Sequence, residues 1–281
     1  MKFPKYWAKG TYTFPGSQHV FIAWKWSDMN ADEAQQLADN KAREIAIKFQ
    51  NRQRLDRYSY GRNPLREEVV QSIKNANGTE IAAVTRNLYG ALVLNAAQAM
   101  FIDIDFPDKG AQESIANGIE KLLGKPAPSQ EQIYLERIER WAQGYRDWGI
   151  RVYRTYGGLR CLITNELFNP AQESSLAIMR ALQSDPLYIK LCQQQESFRA
   201  RLTPKPWRCD ADQPPSRYPW DNPAQEQRYR EWEQSYQRAA ARYTTCKLVK
   251  QIGTTETHPD IAPILSVHDE MSISANNLNL A

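Results

Sequence analysis

The sequence predicts an α+β fold, with a mixed or antiparallel sheet flanked by helices. Three observations support this prediction. Strand-like apolar runs follow one another over 81–105, a glycine-centred hairpin signal occupies 150–164, and segments of helical periodicity lie before and after both. The 281 residues are 42% hydrophobic and 24% charged, which is ordinary for a folded chain with one large core.

Apolar patterning places the elements of the first half of the chain. Alternating or short continuous apolar runs predict strands, and apolar residues at helical spacing predict helices. Pro64 is placed at the start of one helix, and Asn77-Gly78 marks a turn. The predicted strands are 19–26, 81–85, 91–94 and 99–105, and the predicted helices are 31–49, 65–74, 112–123 and 130–148, with a proline-rich joint at 125–129.

The second half is predicted to be mainly helical after the hairpin. Six prolines in 203–223 exclude regular structure there and predict an extended covering loop or a joint between subdomains. We expect 1–281 to form a single domain with a loose tail at 271–281. The predicted helices are 172–183, 185–202 and 224–242, and the predicted late strands are 245–250 and 263–268. The last of these helices is predicted to bury a stripe of Tyr229, Trp232, Tyr236 and Tyr243.

Composition indicates a cytoplasmic protein without a membrane partner. No apolar run approaches the roughly 18 residues that a membrane span needs, and the first residues lack the apolar stretch of a secretory signal. The four cysteines form no C-x-x-C pair, which fits a reducing compartment. A net charge of +4 is compatible with a polyanionic partner without requiring one. The oligomeric state stays open.

Asp103 and Asp105 form the most informative pair. Residues i and i+2 of a strand face the same side, so both carboxylates project together, about 7 Å apart at the backbone, while Ile102 and Ile104 face the core. Like charges so placed repel each other unless a cation lies between them. Oxygen ligands of this kind suit Mg²⁺ or Mn²⁺, so we predict a metal site. The alternative is two solvated aspartates at a strand end.

Gly157-Gly158 between two strand-like runs predicts a hairpin with a two-residue turn. With that turn, Thr155 pairs with Arg160, and Arg151 lies on the same polar face. We predict that this face grips phosphates through Arg160 and Arg151, helped by Thr155 and by backbone N–H groups near the glycines. The alternative is a hairpin whose polar face meets only water.

A basic segment, interleaved with Phe198 and Trp207, follows further along the chain. Basic residues among aromatic ones suit a nucleic-acid backbone and a stacked base, which predicts single-stranded nucleic acid as a partner. The alternative is a solvated helix face followed by a proline-stiffened loop. The basic residues are Lys190, Arg199, Arg201, Lys205 and Arg208.

A strand ending in D-x-D, followed by a T-x-x-G-G-x-[basic] hairpin, resembles the catalytic core of archaeo-eukaryotic primases and related primase–polymerases. The resemblance implies an RRM-like core and paired aspartates that hold a divalent metal. It also implies a histidine after the glycines that touches nucleotide phosphates, and a third acidic residue on a later strand. Other strings of the sequence, such as LTPKPWRC, are similar to an uncharacterised bacterial family.

The motifs map onto this sequence with one departure. Asp103 and Asp105 fall on the metal motif, and Thr155, Gly157 and Gly158 fall on the hairpin motif. Arg160 stands where the family has histidine, so phosphate binding would rest on its charge. Asp269 is the candidate third catalytic acid, and Asp185 is the second choice.

The expected function is therefore that of a divalent-metal-dependent, nucleoside-triphosphate-binding protein of the primase–polymerase type. Nucleotidyl transfer on a nucleic acid would be its reaction if it is an enzyme, which the sequence leaves open. Two alternatives remain. One is a catalytically inactive nucleic-acid-binding protein, and the other is a glycosyltransferase whose D-x-D pair holds metal against a nucleotide sugar.

Overall fold

The computed structural model describes residues 1, 4, 6–53, 65–107, 128–274 and 278–281. It confirms an α+β fold with antiparallel sheets. The strands are β1 Tyr6–Tyr12, β2 Phe21–Ser27, β3 Glu68–Lys74, β4 Glu80–Arg86, β5 Leu92–Ala96, β6 Phe101–Asp105, β7 Gly149–Thr155, β8 Gly158–Ile163, β9 Phe198–Arg201, β10 Tyr243–Thr244, β11 Cys246–Gly253 and β12 Asn279–Leu280. The helices are α1 Ala31–Gln50, α2 Gln130–Ala142, α3 Glu173–Ala181, α4 Pro186–Gln195, α5 Pro223–Ala240 and α6 Ala262–Ser272.

Two four-stranded antiparallel sheets carry the core. One has the strand order β3-β4-β5-β9, and the other has the order β11-β7-β8-β6. The sheets approach each other at β6 and β9. There the buried Tyr188 hydroxyl of α4 lies 2.8 Å from the carbonyl oxygen of Phe101 and 3.0 Å from that of Arg199. One side chain thereby ties the edges of both sheets together.

Helices cover both faces of the β11-β7-β8-β6 sheet. On one face, α2 buries Ile138 in the core and pairs Glu139 with Lys250 of β11. On the other, α6 places the His268 ring 5.1 Å from the Phe101 ring and 4.8 Å from the Tyr153 ring, measured between centroids. Because helices cover both faces of the central strands, polar residues that point from these strands are buried or partly buried.

A separate small unit is formed by β1, β2 and α1. The helix packs against the hairpin through a row of alanines, Ala34, Ala38, Ala42 and Ala46, which are fully buried. Gly10 allows this close approach, since a Cβ there would lie 2.0 Å from the Ala38 carbonyl carbon. None of the described helices is long and apolar enough to cross a membrane.

Three predicted elements are wrong. The predicted helix 65–74 is instead strand β3, where the β-branched Val69 and Val70 suit pairing with β4. The predicted helix 185–202 ends at Gln195, with Glu196 in the left-handed region at φ 50°, and the chain then forms β9 alongside β5. The predicted strand 263–268 is helix α6. In each case the local pattern was short enough to fit either structure, and tertiary packing decided.

The remaining elements match to within a few residues. The strands near 19–26, 81–85, 91–94 and 99–105, the helix near 31–49 and the hairpin near 150–164 are confirmed. The helix from Gln130 ends at Ala142, six residues early. Within 203–223 the described structure has only a 3₁₀ turn, Pro206–Arg208. The predicted helix 112–123 lies outside the described residues.

The C-terminal residues 278–281, part of the tail that we expected to be loose, are docked on the fold. Strand β12 pairs in parallel with β10, and Ala281 is buried. Of the aromatic stripe predicted for α5, Tyr229 and Tyr236 are buried and Trp232 is partly exposed. Tyr243 lies outside the helix, in β10, and is also partly exposed.

Candidate functional site

A cavity of about 460 Å³ gathers residues from all three motifs that the sequence singled out. It lies between the end of β6, the β7–β8 turn, α4 and the segment after β9. Its polar lining consists of Asp103, Asp105, Thr155, Gly157, Asp185, Lys190, Gln194, Gln195, Arg201, Lys205 and Arg208. The volume is within the range of small-molecule sites.

The carboxylates lie on one side of this cavity. Asp103 and Asp105 share a face of β6, as predicted, and pair with Arg160 and Gly158 of β8. Asp185 joins them because the start of α4 docks on β6, where the Asp185 backbone N–H donates to the Asp103 carbonyl oxygen at 3.2 Å.

On the acidic side of the cavity, Asp105 and Asp185 form no ion pair with any described residue, and Asp103 is approached by Arg160 Nε at 3.6 Å. The pKa of Asp105 is raised, first because partial burial removes water from the carboxyl, and then because Asp103 and Asp185 are nearby; Arg201 and Lys205 oppose this rise. No group of three or more His, Cys, Asp or Glu residues suited to a metal occurs in the described part of the chain. Mg²⁺ and Mn²⁺ are commonly held by one or two carboxylates, with phosphate and water completing the coordination. The Asp103 and Asp105 pair fits that pattern.

On the basic side of the cavity, the like charges of Arg201, Lys205 and Arg208 are crowded, and the aspartates across the cavity compensate for them only in part. Arg201 makes no ion pair with any described residue, and its Nε is buried without a hydrogen-bond partner. Burial and then the neighbouring Arg160 lower the pKa of Arg201 to about 10. The pKa of Lys205 is lowered by burial, Arg201 and Arg208. Crowding like charges costs free energy, which an anionic ligand would recover.

The hairpin register differs from the prediction by two residues. Tyr153, not Thr155, is opposite Arg160, and the turn contains Tyr156 and Gly157. A shift of two keeps every side chain on its predicted face. The Thr155 hydroxyl oxygen accepts the Gly158 N–H at 3.1 Å, which leaves the hydroxyl proton free for a ligand in the cavity. At Gly158, a Cβ would lie 1.9 Å from the Ile104 carbonyl oxygen, so only glycine fits.

Arg160 does not line the cavity. It is 2% exposed, because α6 covers the face that we expected to be open. Its Nη1 donates to the Arg201 carbonyl oxygen at 2.9 Å, and its Nε lies 3.6 Å from Asp103 Oδ1. Arg160 therefore contacts Asp103 from outside the cavity and does not reach a ligand bound in it.

Asp269 and Arg151 belong to a polar network behind Arg160. His268 lies between Arg160 and Asp269, with Nε2 3.4 Å from Arg160 Nη1 and Nδ1 2.9 Å from Asp269 Oδ1. Burial lowers the pKa of His268 to about 4, so the neutral ring accepts from Arg160 and donates to Asp269. Asp269 also accepts from Arg151 Nη2 at 2.7 Å and from the Tyr153 hydroxyl at 2.9 Å.

Two predicted site residues belong to this network. Asp269, the predicted third acid, lies on a helix and is saturated by its own partners, and Asp185 is the acid beside Asp105. Arg151 is paired with Asp269 and does not line the cavity, so its predicted phosphate contact has no support.

The basic segment divides in two. Arg199 is buried and its Nη2 donates to both oxygens of Glu67, at 2.8 and 2.9 Å, so it is not available to nucleic acid. The other four cations, Lys190, Arg201, Lys205 and Arg208, line the cavity. The sequence could not reveal Glu67 as the partner, since 132 residues separate it from Arg199.

Exposed aromatic rings accompany two of these cations. The Arg208 guanidinium lies 4.1 Å from the centroid of the Tyr156 ring, and the Lys205 ammonium lies 5.4 Å from that of Trp207. The sequence did not indicate Tyr156 as a ligand contact; its position in the hairpin turn, which follows from the observed register, leaves it exposed.

Comparison of the chain with protein-family models, curated proteins and solved structures gives no match.

Proposed function

We propose that the cavity binds a nucleoside triphosphate together with Mg²⁺ or Mn²⁺, and that the protein is of the primase–polymerase type. The observation that carries this proposal is the charge arrangement of one cavity. Asp103, Asp105 and Asp185 are crowded on one side, and Arg201, Lys205 and Arg208 are crowded on the other; the attraction across the cavity still leaves the pKa of Asp105 raised and those of Arg201 and Lys205 lowered. A metal–polyphosphate complex supplies an additional cation to one side and additional anions to the other.

Each residue has a role in this proposal. Asp103 and Asp105 would hold the cation, which neutralises charge on the phosphates when bound. Arg201, Lys205 and Arg208 would bind the triphosphate oxygens, and the planar Arg201 guanidinium can donate to two of them. Arg160 orients Asp103.

The proposed type extends the function to a reaction and a partner. The reaction is nucleotidyl transfer, in which a hydroxyl oxygen attacks the α-phosphorus, the bond to the bridging oxygen breaks, and pyrophosphate leaves. The hydroxyl proton passes to water. The partner is a single-stranded nucleic acid, supported by the exposed rings of Tyr156 and Trp207 beside Arg208 and Lys205. The same rings also support a second candidate function, that of an inactive nucleic-acid-binding protein.

Protection from thermal unfolding tests the proposal. We expect nucleoside triphosphates to raise the melting temperature with Mn²⁺ present and to have much less effect without it. Arg201→Met should abolish the shift, whereas the matched control Arg180→Met, an exposed arginine paired with Glu173, should keep it. Incubation of a primed single-stranded template with triphosphates and Mn²⁺ then tests for nucleotidyl transfer.

The outcomes separate the alternatives. A shift with oligonucleotides but with no metal–nucleotide pair would support the inactive binder. A larger shift with nucleotide sugars than with triphosphates would support the glycosyltransferase. No shift with any of these ligands would contradict a phosphate-binding cavity.

A further inference from the structure

One wall of the cavity is largely apolar and belongs to a single face of α4. Leu187, Leu191 and Gln194 recur at positions i, i+4 and i+7, so they form one stripe along the helix. Leu187 is 71% exposed, and Leu88, from the connection between β4 and β5, also lines the cavity and is exposed. We call Leu187, Leu191 and Gln194 the α4 wall.

We propose that the α4 wall is the subsite for the heteroaromatic base of the ligand, and that Gln194 contacts the polar edge of that base. This inference rests on the proposed function, since it assumes that the phosphates occupy the basic side. It goes further by assigning base recognition to one element and one side chain.

The chemistry of the wall favours a flat base over other groups. A bare polyphosphate or a sugar phosphate would leave the leucine side chains in contact with water, whereas a base would cover them with an apolar face. An acyl chain would also cover them but would offer no hydrogen-bond partner to the Gln194 amide. That amide makes no hydrogen bond to any described residue, and it offers two donors and one acceptor. A ring with an apolar face and a polar edge satisfies both features.

The positions of residues along α4 predict how the ligand is oriented in the cavity. Asp185, at the N-cap of the helix, lies beside Asp105 at the cation end of the cavity. Gln194 is nine residues further along, about 13 Å at the rise of an α-helix. The same helix therefore presents a carboxylate at one end of the cavity and an amide at the other, in the order phosphate end and then base end.

Calorimetric titration separates the base from the phosphates. The probes are ATP, GTP, CTP and UTP, and inorganic tripolyphosphate as the base-free ligand, each with Mn²⁺. We expect the preferred nucleotide to bind more tightly than tripolyphosphate. Leu187→Asn should weaken that nucleotide by about fivefold to tenfold and leave tripolyphosphate unchanged. The matched control is Leu37→Asn, an exposed leucine on α1 outside the cavity, which should change neither.

Gln194→Leu tests whether Gln194 contacts the polar edge of the base. It should reduce the ratio between the tightest and the weakest of the four nucleotides by at least about threefold, because the remaining apolar wall has no polar group to distinguish them. Leu187 and Gln194 are not in the core, so circular dichroism should show both variants folded.

The results distinguish this inference from the proposed function. If tripolyphosphate binds wild type as tightly as every nucleotide, or if Leu187→Asn weakens both ligand types equally, the α4 wall does not hold a base, and the phosphate site stands. If the affinity ratio between the tightest and the weakest nucleotide is unchanged in Gln194→Leu, Gln194 takes no part in base recognition. If neither tripolyphosphate nor any nucleotide binds, the proposed function itself fails and the inference fails with it.

Discussion

Replacing Arg160 tests whether this arginine is structural support or a ligand contact. Arg160→Met keeps the buried stem but removes the guanidinium, which leaves the Arg201 carbonyl oxygen and His268 Nε2 without their donor. A buried acceptor left unpaired costs about 1–3 kcal/mol. The ion pair with Asp103 adds less than about 1 kcal/mol, because its nitrogen–oxygen distance is 3.6 Å and Asp103 is 29% exposed.

Relief of the repulsion between Arg160 and Arg201 offsets part of this loss. We therefore expect Arg160→Met to lower the free energy of unfolding by about 3 kcal/mol, and Arg160→Lys by about 1–2 kcal/mol, since lysine keeps the charge but not the planar fork. Urea denaturation measures both losses. Arg180→Met, which removes an exposed arginine, is the control and should change stability by less than about 0.5 kcal/mol.

Nucleotide affinity is the second readout on the same variants. Because Arg160 acts through Asp103, we expect the affinity for Mn²⁺–nucleotide to fall by about tenfold or less in the folded Arg160→Lys protein. Unchanged stability combined with abolished affinity would refute this account, since it would mean that the guanidinium faces the ligand.

Three further predictions concern the cavity and its frame. The pKa of Asp105 is raised, so the folded state loses stability as the pH rises from the pKa of the unfolded carboxyl to the raised one. Asp105→Asn should therefore be slightly more stable than wild type at pH 7 and equal to it at pH 3 in urea denaturation, and calorimetry should show Mn²⁺ binding weakened by at least about tenfold. A destabilised variant at pH 7 would contradict this. Tyr188→Phe should lower the free energy of unfolding by about 1–2 kcal/mol in urea denaturation, because the Tyr188 hydroxyl bridges β6 and β9. An unchanged free energy of unfolding would show that this bridge does not stabilise the fold. In fluorescence anisotropy, the affinity for single-stranded oligonucleotide should fall by about 0.7 log units per phosphate contact for each tenfold increase in salt. Lys190→Met should lower that slope by about one contact, whereas Arg199→Met should not. An affinity that does not depend on salt would exclude phosphate contacts.

Local patterns predicted the parts of the fold and site that depend on local physics. The alternation around Asp103 and Asp105 is a property of any strand, so their shared face followed from the sequence. The same holds for the faces of the hairpin, which survived a register error of two residues because side-chain direction repeats every two.

Long-range contacts decided what the sequence could not predict. Arg160 was expected to be open because nothing in the hairpin shows that α6 covers it. Asp269 was assigned to a strand because a short apolar run fits both a strand and a helix, and its partners Arg151 and Tyr153 are more than one hundred residues away. The α4 wall was missed because the predicted helix 185–202 ran through β9, which hid where α4 ends.

The most direct test of a cation–phosphate cavity is the anomalous scattering of Mn²⁺ in crystals grown with a nonhydrolysable nucleoside triphosphate. Our account predicts a manganese peak about 2.1 Å from a carboxylate oxygen of Asp105, with Asp103 as the second protein ligand. Phosphate oxygens should lie within hydrogen-bond distance of the Arg201 guanidinium. A nucleotide bound elsewhere, or one in this cavity with no manganese at Asp103 or Asp105, would contradict the account.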